Sequence, residues 1–151
     1  MLLYRYDNEK GYLMKIIGVD FGEARTGVAV SDEMGLMAHG LRTVFSKDYI
    51  KTAGEIAEIV RELGAELIVL GMPKNMNNTV GPRGERTLEF AEKLKSVTDI
   101  PIKMWDERLT TVSATRMLNE TNTRGKKRKQ VLDTVAAEVL LQGYLEMLNK
   151  K

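Results

Sequence analysis

Apolar positions first recur with a period of two. Ile16 to Val19 and Val28 to Val30 are β-rich runs joined by a short glycine-bearing turn, which predicts a hairpin. A turn over Met34 to Gly40 then leads to a third strand from Leu41 to Phe45. Beyond it the period lengthens. Ser46 is a candidate N-cap for a helix reaching Leu63, with Ile56, Ile59, Val60 and Leu63 on one face and Gly64 as its stop. Leu67 to Leu70 is an unbroken apolar run, as expected of a parallel strand covered on both faces. A long loop from Gly71 to Gly84 precedes a second helix, Glu85 to Val97, whose inward face is Leu88, Ala91 and Leu94. Ile100 to Trp105 predicts another strand and Thr111 to Asn119 a short helix. The last helix carries Val131, Val135 and Val139 with Leu132, Ala136, Leu140, Tyr144 and Leu148 on a wide apolar face. Residues 1–13 hold aromatics and charges without either rhythm. They read as an extension, with Met14 as an alternative start, and the sequence leaves open whether they add an edge strand or pack on the sheet.

Composition narrows the class. A chain of 151 residues, 43% hydrophobic, suits one domain over 14–151 after the extension. No apolar run has the length to cross a bilayer and no secretion signal stands at the N-terminus, so the expected location is the cytoplasm, away from membranes. Cysteine is absent and His39 is the single histidine, so any bound metal must be held mainly by oxygen; that favours Mg²⁺ or Mn²⁺ over zinc. The formal charge of +2 says little about partners until the charges are located.

Acids interrupt apolar elements at their ends. Asp20 closes the first strand, Asp106 and Glu107 follow the strand from Ile100, and Asp133 enters the first turn of the last helix. Each has a bland explanation: Asp starts turns through local hydrogen bonds, and an acid near a helix N-terminus is favoured by the dipole. The chemical alternative is that they converge at strand ends, where ligands of open α/β sheets gather, around a divalent cation that offsets their repulsion. Such a site activates water and stabilises the leaving oxygen of a phosphodiester. Gly22 and Gly27 would then leave the rim beside Asp20 open to a phosphate.

Four ordered motifs carry a resemblance: Gly18-Val19-Asp20-Phe21-Gly22 with Gly27-Val28-Ala29, Gly71-Met72-Pro73-Lys74-Asn75-Met76, Asp106-Glu107-Arg108-Leu109-Thr110-Thr111, and Asp133 with Ala136-Ala137. From Met14 to the C-terminus the chain resembles the YqgF family, also called RuvX, of Holliday-junction-resolvase-like proteins and pre-16S rRNA nucleases. The resemblance implies an α/β, RNase H-like fold: a mixed five-stranded sheet, its first three strands antiparallel, flanked by helices. It also implies Asp20, Glu107 and Asp133 as catalytic, metal-binding acids. Its implied function is a metal-dependent endonuclease acting on structured nucleic acid, RNA ahead of DNA, in processing precursor 16S rRNA during ribosome biogenesis, with the ribosome or its precursor as a partner. The extension is where this chain departs from the family pattern.

Cations lie in or beside the same loops: Lys74, Arg83, Arg86, Arg108, Arg116, and the run Arg124, Lys126, Lys127, Arg128 and Lys129. A basic run is ordinarily a solvated loop. Directly before a candidate ligand it reads better as backbone-tracking phosphate contacts without base readout. The asparagines after Gly71 either donate to phosphate or serve turn chemistry. The competing functions are a junction resolvase acting on DNA, a non-catalytic RNA-binding assembly factor, and a sugar- or nucleotide-type kinase or ATPase. Length counts against the last, because those proteins close two such domains over a nucleotide.

Overall fold

In a computed structural model the backbone is described for residues 6–7, 12–108 and 128–150, and side chains for 14–108 and 134–150. Two short strands, β1 (Tyr6–Asp7) and β2 (Tyr12–Leu13), pair with each other in a separate antiparallel ladder. Among the described residues, the strands of the extension pair with each other and not with the main sheet. That sheet contains β3 (Ile16–Asp20), β4 (Arg25–Ser31), β5 (Ala38–Phe45), β6 (Leu67–Met72) and β7 (Ile102–Asp106), in the order β5-β4-β3-β6-β7. The first three pair antiparallel, whereas β3, β6 and β7 run parallel, so the sheet is mixed as expected.

Alternation along β3 sorts the core into two layers. Ile17 and Val19 face helices α1 (Tyr49–Leu63) and α2 (Pro82–Lys95), in a cluster with Val28, Val44, Ile68, Leu70, Ile56 and Phe90. Ile16 faces the other way, packing with Ala29, Val69, Leu141, Tyr144 and Leu145 under α3 (Arg128–Asn149). Each fully buried large side chain contributes about 2 kcal/mol of hydrophobic stabilisation before entropy is counted. Gly18 lies on the α3 side. A Cβ there would come 2.8 Å from the Leu141 Cβ and 3.2 Å from the Ala137 carbonyl, so its absence lets the helix sit against the sheet.

Several boundaries differ from the sequence reading, each for a local reason. β5 starts at Ala38 instead of Leu41, because Ala38, His39 and Gly40 continue the ladder to β4 opposite Ser31, Val30 and Ala29. Asp48, not Ser46, caps α1: its carboxylate accepts from the Ile50 and Lys51 N–H groups. Gly64 ends the helix in the left-handed region at φ 66°. Helix α2 begins at Pro82, a residue suited to a first turn that needs no donor, and this shortens the loop to 73–81. In α2, Phe90 takes the inward position while Leu88 is 45% exposed. The expected helix over Thr111 to Asn119 lies outside the described residues.

One buried polar residue ties the last helix to the β4–β5 turn. The Gln142 side chain accepts from the Ala38 N–H at 2.9 Å and donates to the Leu36 carbonyl at 2.9 Å. Among the described residues no helix is long and apolar enough to cross a membrane.

Candidate metal centre

The parallel strands β3, β6 and β7 end along one edge of the sheet, with Val19 beside Leu70 and Met72 beside Asp106 in register. Asp20 is the last residue of β3 and shares the parity of Gly18, so it sits on the α3 side at that edge. Its position is fixed from behind by Phe21. That ring stacks on Phe90 with centroids 4.3 Å apart and meets Tyr49 edge-on at 4.9 Å, locking the chain immediately after Asp20 into the opposite core. Gly22 has a duty in the turn as well. A Cβ there would collide with the Arg25 carbonyl, so the turn itself requires glycine. Gly27 lies directly opposite Asp20 in the β3–β4 ladder.

Asp106 and Glu107 are neighbours with opposite surroundings. The Asp106 carboxylate accepts from Arg108 at its Nε (3.0 and 3.1 Å), its Nη2 (2.7 Å) and its backbone N–H (2.9 Å). Hydrogen bonding from the Arg108 side chain holds Asp106 below the usual carboxylate range, and Asp106 in turn raises Arg108. Arg108 continues to the Asn75 carbonyl at 3.1 Å and the Asn78 Oδ1 at 2.7 Å, fastening the 73–81 loop to the end of β7. Its guanidinium is thereby committed within the fold, a use not evident from its place among the candidate phosphate contacts.

The asparagines likewise serve the turn. Asn75 and Thr79 bond through backbone and side chain, Asn77 accepts from the Thr79 hydroxyl, and Asn78 adopts φ 67°, a left-handed conformation asparagine tolerates well. Lys74 is exposed in this loop, and its charge adds to the depression of Asp106.

Glu107 turns toward Gly71 of β6. A Cβ on Gly71 would lie 2.7 Å from the Glu107 Oε1 and 3.1 Å from its Cγ, so this glycine makes the space the glutamate occupies. The Glu107 N–H donates to the Met72 carbonyl at 3.2 Å and extends the β6–β7 ladder by one bond. Trp105, two residues earlier, packs edge-on against Tyr144 of α3 at 5.2 Å and holds the strand end to that helix.

Asp20 and Glu107 meet through a third side chain. Arg83, in the first turn of α2, places its Nη2 at 3.7 Å from the Asp20 Oδ1 and its Nη1 at 3.8 Å from the Glu107 Oε2. The two carboxylates thus converge on a single cationic group, and oxygen donors are the kind that suit Mg²⁺ or Mn²⁺. Among the described residues no group of three or more His, Asp or Glu forms a metal cluster. Asp133 lies on α3, and its side chain is outside the described residues, as are those of Arg116, Arg124, Lys126, Lys127, Arg128 and Lys129. Arg86, also on α2, pairs with Glu23 at 2.9 Å.

The structure adds one carboxyl that the sequence reading passed over. Glu138 on α3 is half-buried, and burial pushes it up, offset in part by the Gly40 N–H and by His39. Its glutamate-on-an-apolar-helix pattern is the same signal that singled out Asp133.

A family model described as RuvX, Holliday junction resolvase, matches residues 14–147. The chain is 49% identical over 135 residues to a Clostridium novyi (strain NT) protein named "Putative pre-16S rRNA nuclease", a match covering 89% of this chain and 100% of that one. A protein of the same name from Desulforamulus reducens is 48% identical over 133 residues, covering 88% and 97%. Among solved structures, T. thermophilus RuvC in complex with a Holliday junction substrate superposes with a TM-score of 0.59 at 13% identity, over 89% of this chain and 96% of that one. Fowlpox virus resolvase with Holliday junction DNA gives 0.55 at 13% identity, over 89% and 99%. At such identities the structural likeness speaks for the fold, which is RNase H-like, while the sequence matches go further: this chain belongs to the RuvX family.

Proposed function

We propose that this protein is a cytoplasmic nuclease that hydrolyses phosphodiester bonds in structured nucleic acid, with precursor 16S rRNA as its substrate. One observation carries the reading: Asp20 and Glu107, distant in sequence, bring their carboxylates within 4.0 Å of one guanidinium at the shared end of three parallel strands. In this reading Asp20, Glu107 and Asp133 hold Mg²⁺ or Mn²⁺. When bound, the metal lowers the pKa of a water and stabilises the leaving oxygen.

The chain's own residues do the rest. Phe21 holds the chain beside Asp20 and Gly71 makes the space for Glu107, which sets where the two carboxylates stand. Lys74, Arg83 and the cations before α3 draw the phosphate backbone to this edge without reading bases. The relatives' names support rRNA as substrate and the family description supports a branched nucleic acid.

The test is cleavage of a precursor 16S rRNA and of a four-way DNA junction with Mg²⁺ or Mn²⁺. We expect the RNA to be cut, and Asp20→Asn or Asp133→Asn to slow cutting by about a thousandfold, equivalent to about 4 kcal/mol. Unchanged cleavage by both variants rejects the site. Salt-sensitive RNA binding that survives chelation with no cleavage of either substrate favours the assembly-factor reading.

A further inference from the structure

We propose that Arg83 is an exchangeable counter-ion of the acid pair: its guanidinium neutralises Asp20 and Glu107 until a divalent cation replaces it, and once released it turns to a phosphate of the incoming nucleic acid. This rests on the metal-dependent reading above and adds to it how the empty and loaded centres are exchanged.

Three observations carry it. Contacts at 3.7 and 3.8 Å are charge pairing without close hydrogen bonds, in contrast to the 2.7 Å bond between Arg108 and Asp106. The Arg83 side chain is 60% exposed, so water readily replaces what it gives up. Finally, Arg83 borders a cavity of about 160 Å³ lined also by Phe21, Gly22, Glu23 and Arg86 and by neither acid, which offers the guanidinium room off the pair.

Removing the Arg83 charge from beside two carboxylates raises their mutual repulsion, which favours another cation in its place. A guanidinium fork matches a phosphate as well as it matches a carboxylate, so the released side chain has a second partner of the same geometry. Pro82 and the first turn of α2 fix the Arg83 backbone, leaving the side chain as the part that moves.

The experiment titrates Mn²⁺ alone into the full chain by calorimetry, with wild type, Arg83→Gln, Arg83→Lys and Asp20→Asn. Circular dichroism verifies that each variant is folded. Arg83→Gln is expected to bind Mn²⁺ about threefold to tenfold more tightly, Arg83→Lys to bind like wild type, and Asp20→Asn to lose binding. A labelled structured RNA then reports the second half by anisotropy: Mn²⁺ tightens RNA binding by wild type, and Arg83→Gln loses that gain. Unchanged or weaker Mn²⁺ binding by Arg83→Gln, with Asp20→Asn still defective, overturns the counter-ion role and leaves the metal site standing. Equal RNA gain in both proteins overturns the transfer to phosphate. Wild-type Mn²⁺ binding by Asp20→Asn overturns both the exchange and the site it rests on.

Discussion

Asp106 and Glu107 are consecutive carboxylates at the end of one strand, yet they do different work. Asp106 is enclosed by hydrogen bonds from Arg108 between 2.7 and 3.1 Å, and the same arginine fastens the 73–81 loop. Glu107 touches its cation only at 3.8 Å, through an exposed arginine shared with Asp20. A satisfied acid stabilises its surroundings and has little left for a ligand; a loosely countered one retains its affinity for cations. Strand parity causes the split. Asp106 carries the parity of Ile102 and Met104, which pack with the α1–α2 layer, while Glu107 falls toward Gly71 on the α3 side with Asp20.

Exchanging the two acids is the sharpest way to break this contrast. Glu107→Gln should reduce cleavage of precursor 16S rRNA by about a thousandfold with an unchanged melting temperature. Asp106→Asn should leave cleavage within about tenfold of wild type and lower the melting temperature by about 1 to 3 °C. Reversed results would make Asp106 the ligand. A smaller effect is expected at Gly71→Ala, where the added methyl displaces the Glu107 carboxylate; a misplacement of this kind costs roughly tenfold to a hundredfold in rate. Single-turnover kinetics beside a thermal melt would separate that loss from unfolding.

The smallest effect concerns Glu138, the acid on α3 that burial disfavours. Its folded pKa lies above the ordinary 4.5, so the folded chain holds the proton more tightly than the unfolded one. This group's contribution is therefore present below pH 4.5 and is lost as pH rises through the folded value. Glu138→Gln keeps an acceptor for the Gly40 N–H and removes the charge. It should raise the melting temperature at pH 7 by about 1 to 2 °C, with the gain shrinking toward zero in acid.

The sequence made some of this legible and hid the rest for identifiable reasons. The β3–β4 hairpin, the buried β6 and the helix stop at Gly64 follow from period and glycine chemistry, which act locally. Local rules also misplaced the cap at Ser46, because Ser46 and Asp48 are both good caps and only Asp48 lies in reach of the first free N–H groups. The strand at Ala38 to Gly40 was masked by its glycine and histidine; it exists because Ser31 to Ala29 supply partners. In the candidate centre, Asp20 and Glu107 were named from motif and chemistry. That Arg83 joins them, while Arg108 is spent on Asp106, depends on distances no one-dimensional pattern contains.

Gln142 carries a consequence for the order in which the protein assembles. Its two bonds span 104 and 106 residues of sequence, and Asn149 adds another, across 114, to the Gly35 carbonyl. Contacts of such separation are closed against the largest loss of chain freedom, so they form slowly and after local pairing is in place. The hairpin bearing Asp20 and the parallel ladder leading to Glu107 need nothing from the last helix to pair. The helix that carries Asp133 is held by Leu141, Tyr144 and Leu145 against the sheet and by Gln142 and Asn149 at the β4–β5 turn, so its docking depends on strands that have already paired.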